Sequence, residues 1–494
     1  MLDYDVVIIG GTTAGRYAAL TATYLQARVA LVEPPNHSQE LSLAEKHFPI
    51  SGMKYSQALI EVGRFTQQLD FAQQFISRIE ENAAPPKTAV EFDTVALWAK
   101  SVVSNIEEIY STAALAAAGV DVIVSKGEFV VKPDLAFAVN GRNLRSRTFL
   151  LATPSQPAIP EIEGLLSTGY FTTETIGQLS ELKKLPDTLV VIGGDPAGAE
   201  LAQTFARLGV RVTVVVKSSH ILAKEDAEAA RLVQAVMEAE GVRILTQTEV
   251  TQARIIDGKK WIQAGNEAIE ADEILVAAGR KMPNFELLNL SAARVKFNEK
   301  GLILNDKLQT TNPRIYACTD VSRSYPFPHI ANYEAKIALK NALFFPIFKV
   351  DYRGIPWAIF SDPQLARVGI TEAQAKTKYG DDVLVCREYF KMIDKAQMRG
   401  ETTGFFKLIG RRSGEILGAT IVGPQAAELI HSIALAIRQG LKVDAIAELP
   451  HIWPTLSEIN AKTAAAWQQQ RFQSQPFLPN LLEKLFHWRR YWNW

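Results

Sequence analysis

The sequence predicts an α/β chain built on two copies of one strand–turn–helix–strand unit, followed by a smaller α+β region. Two segments carry this expectation. Asp5 to Glu33, DVVIIGGTTAGRYAALTATYLQARVALVE, is an apolar run, a glycine turn, a helical stretch and a second apolar run ending in an acid. Thr188 to Lys217, TLVVIGGDPAGAELAQTFARLGVRVTVVVK, repeats that plan. Continuous apolar runs of this length fit strands buried on both faces of a parallel sheet, and a helix between two of them makes a βαβ crossover. With 494 residues, 47% hydrophobic and 21% charged, the chain is long enough for several domains and too apolar to be disordered.

The glycine turns define the chemistry expected of each unit. In the first, Gly10 and Gly11 open the turn and Gly15 lets the helix pack close to the strand. The head of the helix then presents unpaired N–H groups and the positive end of its dipole, which suits a pyrophosphate. Glu33 closes the second strand, where a carboxylate can accept from ribose hydroxyls. Thr12 takes the middle position of the G-x-G-x-x-G pattern, so the phosphate is expected slightly displaced, with the Thr12 hydroxyl as a donor to it. In the second unit Gly193 and Gly198 remain, but the middle position is Asp195. A half-exposed carboxylate beside a pyrophosphate costs roughly 1–4 kcal/mol. Val216 stands where the first unit has Glu33, with Lys217 next and His220 nearby, a set that suits a 2′-phosphate and hence NADP(H) over NAD(H); the alternative is that Lys217 is only a solvated surface charge.

Composition excludes several classes. Lys+Arg and Asp+Glu are both 53, so nothing draws the whole chain to nucleic acid. Two cysteines, Cys318 and Cys386, are too few for a disulfide framework or a zinc site, and no metal centre is expected. With no basic and apolar leader ahead of Tyr4 and no run of 18 apolar residues, a cytoplasmic, reducing setting is expected.

Further motifs follow in a set order. GVDVIVSKGEFV (Gly119 to Val130) precedes LATPSQPAIPEIEGL (Leu151 to Leu165). After the second unit come ADEILVAAGRKMPN (Ala271 to Asn284), TNPRIYACTDV (Thr311 to Val321), IPWAIFSDPQLARVGIT (Ile355 to Thr371) and HIWPTLSE (His451 to Glu458). From about Asp5 to about Lys462 the chain resembles the pyridine nucleotide–disulfide oxidoreductases, on the branch of mercuric reductase and dihydrolipoamide dehydrogenase. The resemblance implies two Rossmann-like dinucleotide-binding domains, of FAD and NAD(P) type, plus an α+β C-terminal dimerisation domain. It places the FAD domain at 1–155 and 278–350, the NAD(P)-like domain at 156–277, the dimerisation domain at 351–462 and an aromatic, basic tail at 463–494. It also implies FAD contacts from Thr153 and Asp320 beside Glu33, a backbone contact near Gly279, a nicotinamide contact from Glu200, and a two-fold homodimer. For Glu200 the plainer alternative is a solvated acid at a helix start.

The departures from the family matter as much. Its chemistry runs through a C-x-x-x-x-C pair, and here no cysteine precedes Cys318; threading HFPISGMKYSQALI against that motif puts Phe48 and Met53 near the two positions. The family's H-P-T loop supplies an imidazole held by a glutamate. Trp453 replaces that histidine, leaving Glu458 without one and His451 as a weak substitute. Pro154, Gln156 and Thr319 replace a glycine, an arginine and a glycine of the family pattern. The reading that results is an FAD-dependent oxidoreductase that passes hydride from NAD(P)H to flavin and on to an unknown small-molecule acceptor without a disulfide relay. The alternative is a flavin-holding scaffold or redox sensor with little turnover.

The tail is expected to form a helix after Pro479, capped by Asn480, with Leu481, Leu485, Trp488 and Trp492 on one face and Lys484, Arg489 and Arg490 as its cations. Residues 477–494 either dock on the chain's own body or on a partner protein, or lie on a membrane surface.

Overall fold

Glycine turns between apolar strands produce the two βαβ units where the sequence places them. The computed structural model describes residues 2–34, 52–72, 90–181, 184–299, 301–318, 327–474 and 477–492. They fall into two compact units, one within Met1–Val62, Asn82–Pro186 and Leu275–Asp351, the other within Gly63–Glu81, Asp187–Ile274 and Tyr352–Trp494.

In the first unit, strand β1 (Tyr4–Ile9), helix α1 (Thr13–Tyr24) and strand β2 (Val29–Glu33) form the first crossover. The parallel sheet runs in the order Ile315–Ala317, Ser146–Leu151, β1, β2, Asp121–Val124. Val6, Val7 and Ile8 are fully buried, as a strand covered on both faces must be. One face of α1 carries only small side chains, Ala14, Ala18 and Ala22. It shares a core with Ala331, Ala335 and Ala338 of the helix Pro328–Leu343, because alanines on both sides let two helix backbones approach.

In the second unit, strand β3 (Thr188–Ile192), helix α2 (Pro196–Arg207) and strand β4 (Arg211–Val215) repeat the plan, and β4 pairs in parallel with both β3 and Arg243–Leu245. The same unit holds a five-stranded antiparallel sheet, ordered Pro356–Ile359, Gln364–Gly369, Ile416–Gly423, Phe405–Arg411, Val383–Tyr389. Helices Ala426–Gln439 and Glu458–Gln473 supply Ile430, Ile433, Ile459 and Trp467 to the same core as that sheet.

Buried ion pairs join the βαβ part of this unit to the antiparallel sheet. Lys407, only 2% exposed in its side chain, reaches Asp226 at 2.9 Å and Glu228 at 2.7 Å. Burial alone would lower the pKa of its ammonium, but the bonds from Glu228 and Asp226 outweigh that and raise it. Arg367 pairs with Glu225 at 2.9 Å while its guanidinium lies 4.4 Å from the centre of the Trp357 ring, whose Nε1 also donates to Glu225. Arg207 of α2 bonds Glu240 and Asp362 at 2.6 and 2.9 Å.

Helix α3 (Phe477–Tyr491) starts two residues ahead of Pro479, not after it. A proline in the first turn is tolerated, since the N–H it lacks has no partner there in any helix. Leu481, Leu485, Phe486, Trp488 and Trp492 are all exposed, between 42% and 57%, so the expected docking of this face on the chain's own body is not found among the described residues. Nor is any described helix long and apolar enough to cross a membrane.

Removing one partner of a buried ion cluster leaves an uncompensated charge. Lys407→Ala is therefore expected to destabilise the second unit by about 3–5 kcal/mol, read as an earlier unfolding midpoint in denaturant; a shift below about 1 kcal/mol would mean that the cluster is solvated in practice.

Candidate functional site

The head of α1 is the better-formed of the two nucleotide turns. Gly10 has φ +120°, and a Cβ there would collide with the Ala152 carbonyl, while one at Gly15 would collide with the carbonyl of Gly10. A side chain at Gly11 would meet the Glu33 carboxylate. The turn is thus a cradle whose space exists only because Cβ atoms are missing. Thr12 is the N-cap of α1, but its hydroxyl does not serve as expected. Its one proton goes to Ala152 O at 3.0 Å, and it accepts from Gly15 N at 3.2 Å. It is therefore no donor to a phosphate, and the capping bond also engages one of the N–H groups at the helix head.

Glu33 closes β2 and is 7% exposed. Its Oε2 accepts from Arg16 Nη2 at 2.8 Å, and Arg16 Nη1 donates to Tyr110 O at 2.7 Å. The sequence reading missed Arg16. It stands one residue past Gly15, and only the crossover's return brings it to Glu33, 17 positions on. At the crossing that follows Ser146–Leu151, Thr153 Oγ1 is buried and has no hydrogen-bond partner among the described residues. A buried hydroxyl rarely stays unpaired, so Thr153 Oγ1 can bond a group bound at this crossing. The crossing is clamped by Arg280, which bonds both the hydroxyl and the carbonyl of Ser155 and reaches Glu174 at 2.6 Å. Gly279, with φ +101°, accepts from Ala158 N at 2.9 Å and so belongs to the same clamp. Asp320 and Phe48 lie outside the described residues. Met53, threaded onto the missing pair, is 41% exposed near the start of the helix Gly52–Ala72.

The second turn keeps the backbone geometry of the first and places a carboxyl at its helix head. Gly193 has φ +113°, its N–H donates to Val215 O, and Gly198 is buried within α2. Asp195 occupies the N-cap of α2 yet makes no capping bond. Burial pushes its carboxyl pKa up, with Lys224 opposing. Glu200 is not the solvated acid of one reading: it is 7% exposed and its Oε1 accepts from Phe360 N at 2.7 Å. Lys217 is exposed and pairs with Glu249 at 2.5 Å. The His220 ring is buried, with Nδ1 2.7 Å from Ile221 O.

The acid–base candidates also stand apart. His451 Nδ1 lies 2.8 Å from Leu449 O, Glu458 Oε1 accepts from Thr455 N at 3.0 Å, and no hydrogen bond joins the two residues. Trp453 is 65% exposed, and its Nε1 donates to Asp394 at 2.9 Å.

Two dinucleotide-type turns on separate crossovers, with a buried unpaired threonine hydroxyl just after the first parallel sheet, mark a chain built on a repeated nucleotide-binding plan. Residues 4–335 match the pyridine nucleotide-disulphide oxidoreductase family and residues 355–464 match its dimerisation domain. A mercuric reductase of Staphylococcus aureus is 32% identical over 481 residues, covering 92% of this chain and 81% of that protein. A dihydrolipoyl dehydrogenase of Geobacillus stearothermophilus is 30% identical, covering 94% of this chain and 96% of that one. Among solved structures, the HOCl-induced flavoprotein disulfide reductase RclA of Escherichia coli, as its Cu(II) complex, superposes with a TM-score of 0.78 over 94% of this chain and 99% of its own, at 24% identity. The chain belongs to the pyridine nucleotide-disulphide oxidoreductase family, whose members bind FAD and NAD(P)H. It does so with only two cysteines in its sequence, neither of which forms a disulfide.

Asp195 puts a titratable carboxyl at the head of the second turn. Its neutral form removes the like-charge contact with a pyrophosphate, so NADPH affinity is expected to strengthen as pH falls through the raised pKa of this carboxyl. Asp195→Asn is expected to tighten NADPH at neutral pH by about fivefold or more, which corresponds to roughly 1 kcal/mol, and to flatten the pH profile. Calorimetric titration reads both, and an unchanged profile in the variant would remove Asp195 from the account.

Proposed function

We propose that this chain is an FAD-dependent NAD(P)H oxidoreductase that delivers electrons to its acceptor without a thiol relay. The observation that carries the reading is the cysteine inventory. Cys318 and Cys386 are the only two, separated by 67 intervening positions, 2% and 8% exposed, and Cys386 has its thiol pKa raised by burial. A thiol held neutral and away from solvent is a poor nucleophile and a poor metal ligand. Mercuric reduction and lipoamide oxidation, which need thiols, are disfavoured on the same ground. Two buried cysteines also fit a reducing compartment such as the cytoplasm.

The residues of the first turn fit FAD. The Gly10–Gly15 cradle receives the pyrophosphate, with the remaining N–H groups at the head of α1 as donors. Arg16 engages only Oε2 of Glu33, which leaves Oε1 to accept from a ribose hydroxyl. Thr153 Oγ1, buried and unpaired, would be a further hydrogen-bonding group for the bound cofactor. Bound FAD supplies the two-electron step between a reduced pyridine nucleotide and an acceptor. Because Glu458 has no imidazole to orient, an acceptor that takes up protons draws them from water or brings its own.

A second reading, a flavin-holding sensor with little turnover, is favoured by the second turn, where Asp195 stands at the helix head and Glu200 and Lys217 already have protein partners. Leu435, Leu449 and Ile452 of the dimerisation domain are exposed apolar side chains, as suits the two-fold partner this domain implies.

Anaerobic stopped-flow separates the two readings: millimolar NADPH or NADH is expected to bleach the flavin band within seconds, and a band that persists favours the sensor. In the reductase, the double variant Cys318→Ala/Cys386→Ala is expected to keep kcat with a dye acceptor within about threefold once flavin content is equalised; a loss of a hundredfold or more would restore a thiol step. Ile452→Glu is expected to weaken the dimer at least tenfold in sedimentation equilibrium, since a charge would replace an apolar side chain at its interface.

A further inference from the structure

Helix α3 presents a surface that the redox reading does not use. Its apolar side chains recur at helical spacing, Leu481, Leu485, Trp488 and Trp492, and every one is exposed. The Trp488 and Trp492 rings lie against each other with centroids 4.9 Å apart, so they form one continuous aromatic face. Water-facing apolar stripes of this size mark contact with something else.

Charge, length and area decide among the occupants. The helix carries Lys484, Arg489 and Arg490 against the single acid Glu483, whereas the whole chain is balanced at 53 cations and 53 anions. At 1.5 Å per residue, its 15 residues span about 22 Å, short of the roughly 30 Å of a bilayer's hydrocarbon core, so it suits lying in the interface and not crossing it. Four side chains, each about half exposed, offer far less contact area than the roughly 800 Å² per partner of a standard protein interface. Tryptophan and arginine together match the depth at which an interfacial helix sits, with indoles at the headgroup level and guanidinium groups on lipid phosphates.

We propose that α3 is an interfacial anchor that holds the chain on an anionic lipid bilayer, its leucines and tryptophans in the acyl boundary and Lys484, Arg489 and Arg490 on the headgroups. The attachment is reversible and salt-sensitive, because part of it is screened within a Debye length of about 8 Å at physiological ionic strength.

The test uses the full chain and flotation with vesicles of phosphatidylcholine alone or with about one third phosphatidylserine, a composition that supplies the anionic surface potential. Binding to the serine-containing vesicles is expected, at least tenfold weaker on pure phosphatidylcholine and weaker again at high salt. Trp488→Ser/Trp492→Ser is expected to lose vesicle binding at both salt levels, whereas Arg489→Gln/Arg490→Gln is expected to lose only the preference for phosphatidylserine. All these positions are exposed, so unchanged circular dichroism and flavin content serve as the folding control. Absence of binding to either vesicle overturns the proposal. So does a concentration-dependent self-association that the tryptophan variant abolishes while vesicles have no effect, since the stripe would then belong to a second copy.

Discussion

At the head of α1, the backbone of Gly10 and Gly15 comes so close to Ala152 and to itself that no side chain fits, and the Thr12 hydroxyl ties the helix head to Ala152 O at 3.0 Å. This one contact holds three things in register. The helix N-terminus, which carries the positive end of the dipole, is fixed against the sheet. Glu33 is brought beside Gly11, in the space a Cβ would fill. Thr153, next along the chain from Ala152, keeps its hydroxyl buried and unpaired. Any substitution that lengthened the approach between residues 10 and 152 would disturb all three together, so the cofactor cradle is a property of backbone packing more than of particular side-chain donors.

The second turn shows what happens when the same backbone is kept and the electrostatics change. Gly193 still has a positive φ and α2 still begins with a proline-led first turn, so the crossover is intact. But the polar groups that a dinucleotide would meet are turned to other uses. Asp195 puts a carboxyl where the first unit has Thr12, and its burial raises the cost of keeping it charged. Glu200 holds the N–H of Phe360, at the strand end that leads into Asp362, and Asp362 in turn bonds Arg207 of α2. These contacts, with the Lys407 and Arg367 clusters, bind the βαβ part of the unit to the antiparallel sheet. Glu200, which the resemblance sets toward a nicotinamide, thus also contributes to the cohesion of a compact unit.

Periodicity and turn chemistry made the skeleton legible. Apolar runs ending in glycine turns placed β1, α1, β2, β3, α2 and β4, because buried parallel strands and helix heads each demand a composition that is local in sequence. What was not legible is the pairing of charges across sequence distance. Arg16 with Glu33, Lys217 with Glu249, and Glu200 with the backbone of Phe360 depend on how crossovers return. No window of neighbouring residues contains both partners. The Thr12 hydroxyl shows a subtler limit: its type suggested a donor to phosphate, but the carbonyl of Ala152, 140 positions away, claims its proton. The start of α3 was misplaced because Pro479 reads as a boundary, although a first-turn proline costs a helix nothing.

On the proposed reading, without a thiol pair, the route of electrons out of the flavin changes in kind. A disulfide relay moves reducing equivalents away from the ring through a nucleophile that can form a covalent link to its substrate, and an imidazole then manages the proton. Here Trp453 takes the place of that imidazole in the loop, its Nε1 directed to Asp394, and Glu458 caps its own turn through Thr455 N. On the proposed reading the acceptor must therefore come to the ring itself and carry its own proton chemistry, which favours acceptors reduced by outright electron or hydride transfer over those that need acid catalysis. Specificity then rests on which molecules reach the flavin, and a chain held at a lipid surface by α3 would draw its acceptors from those that partition there.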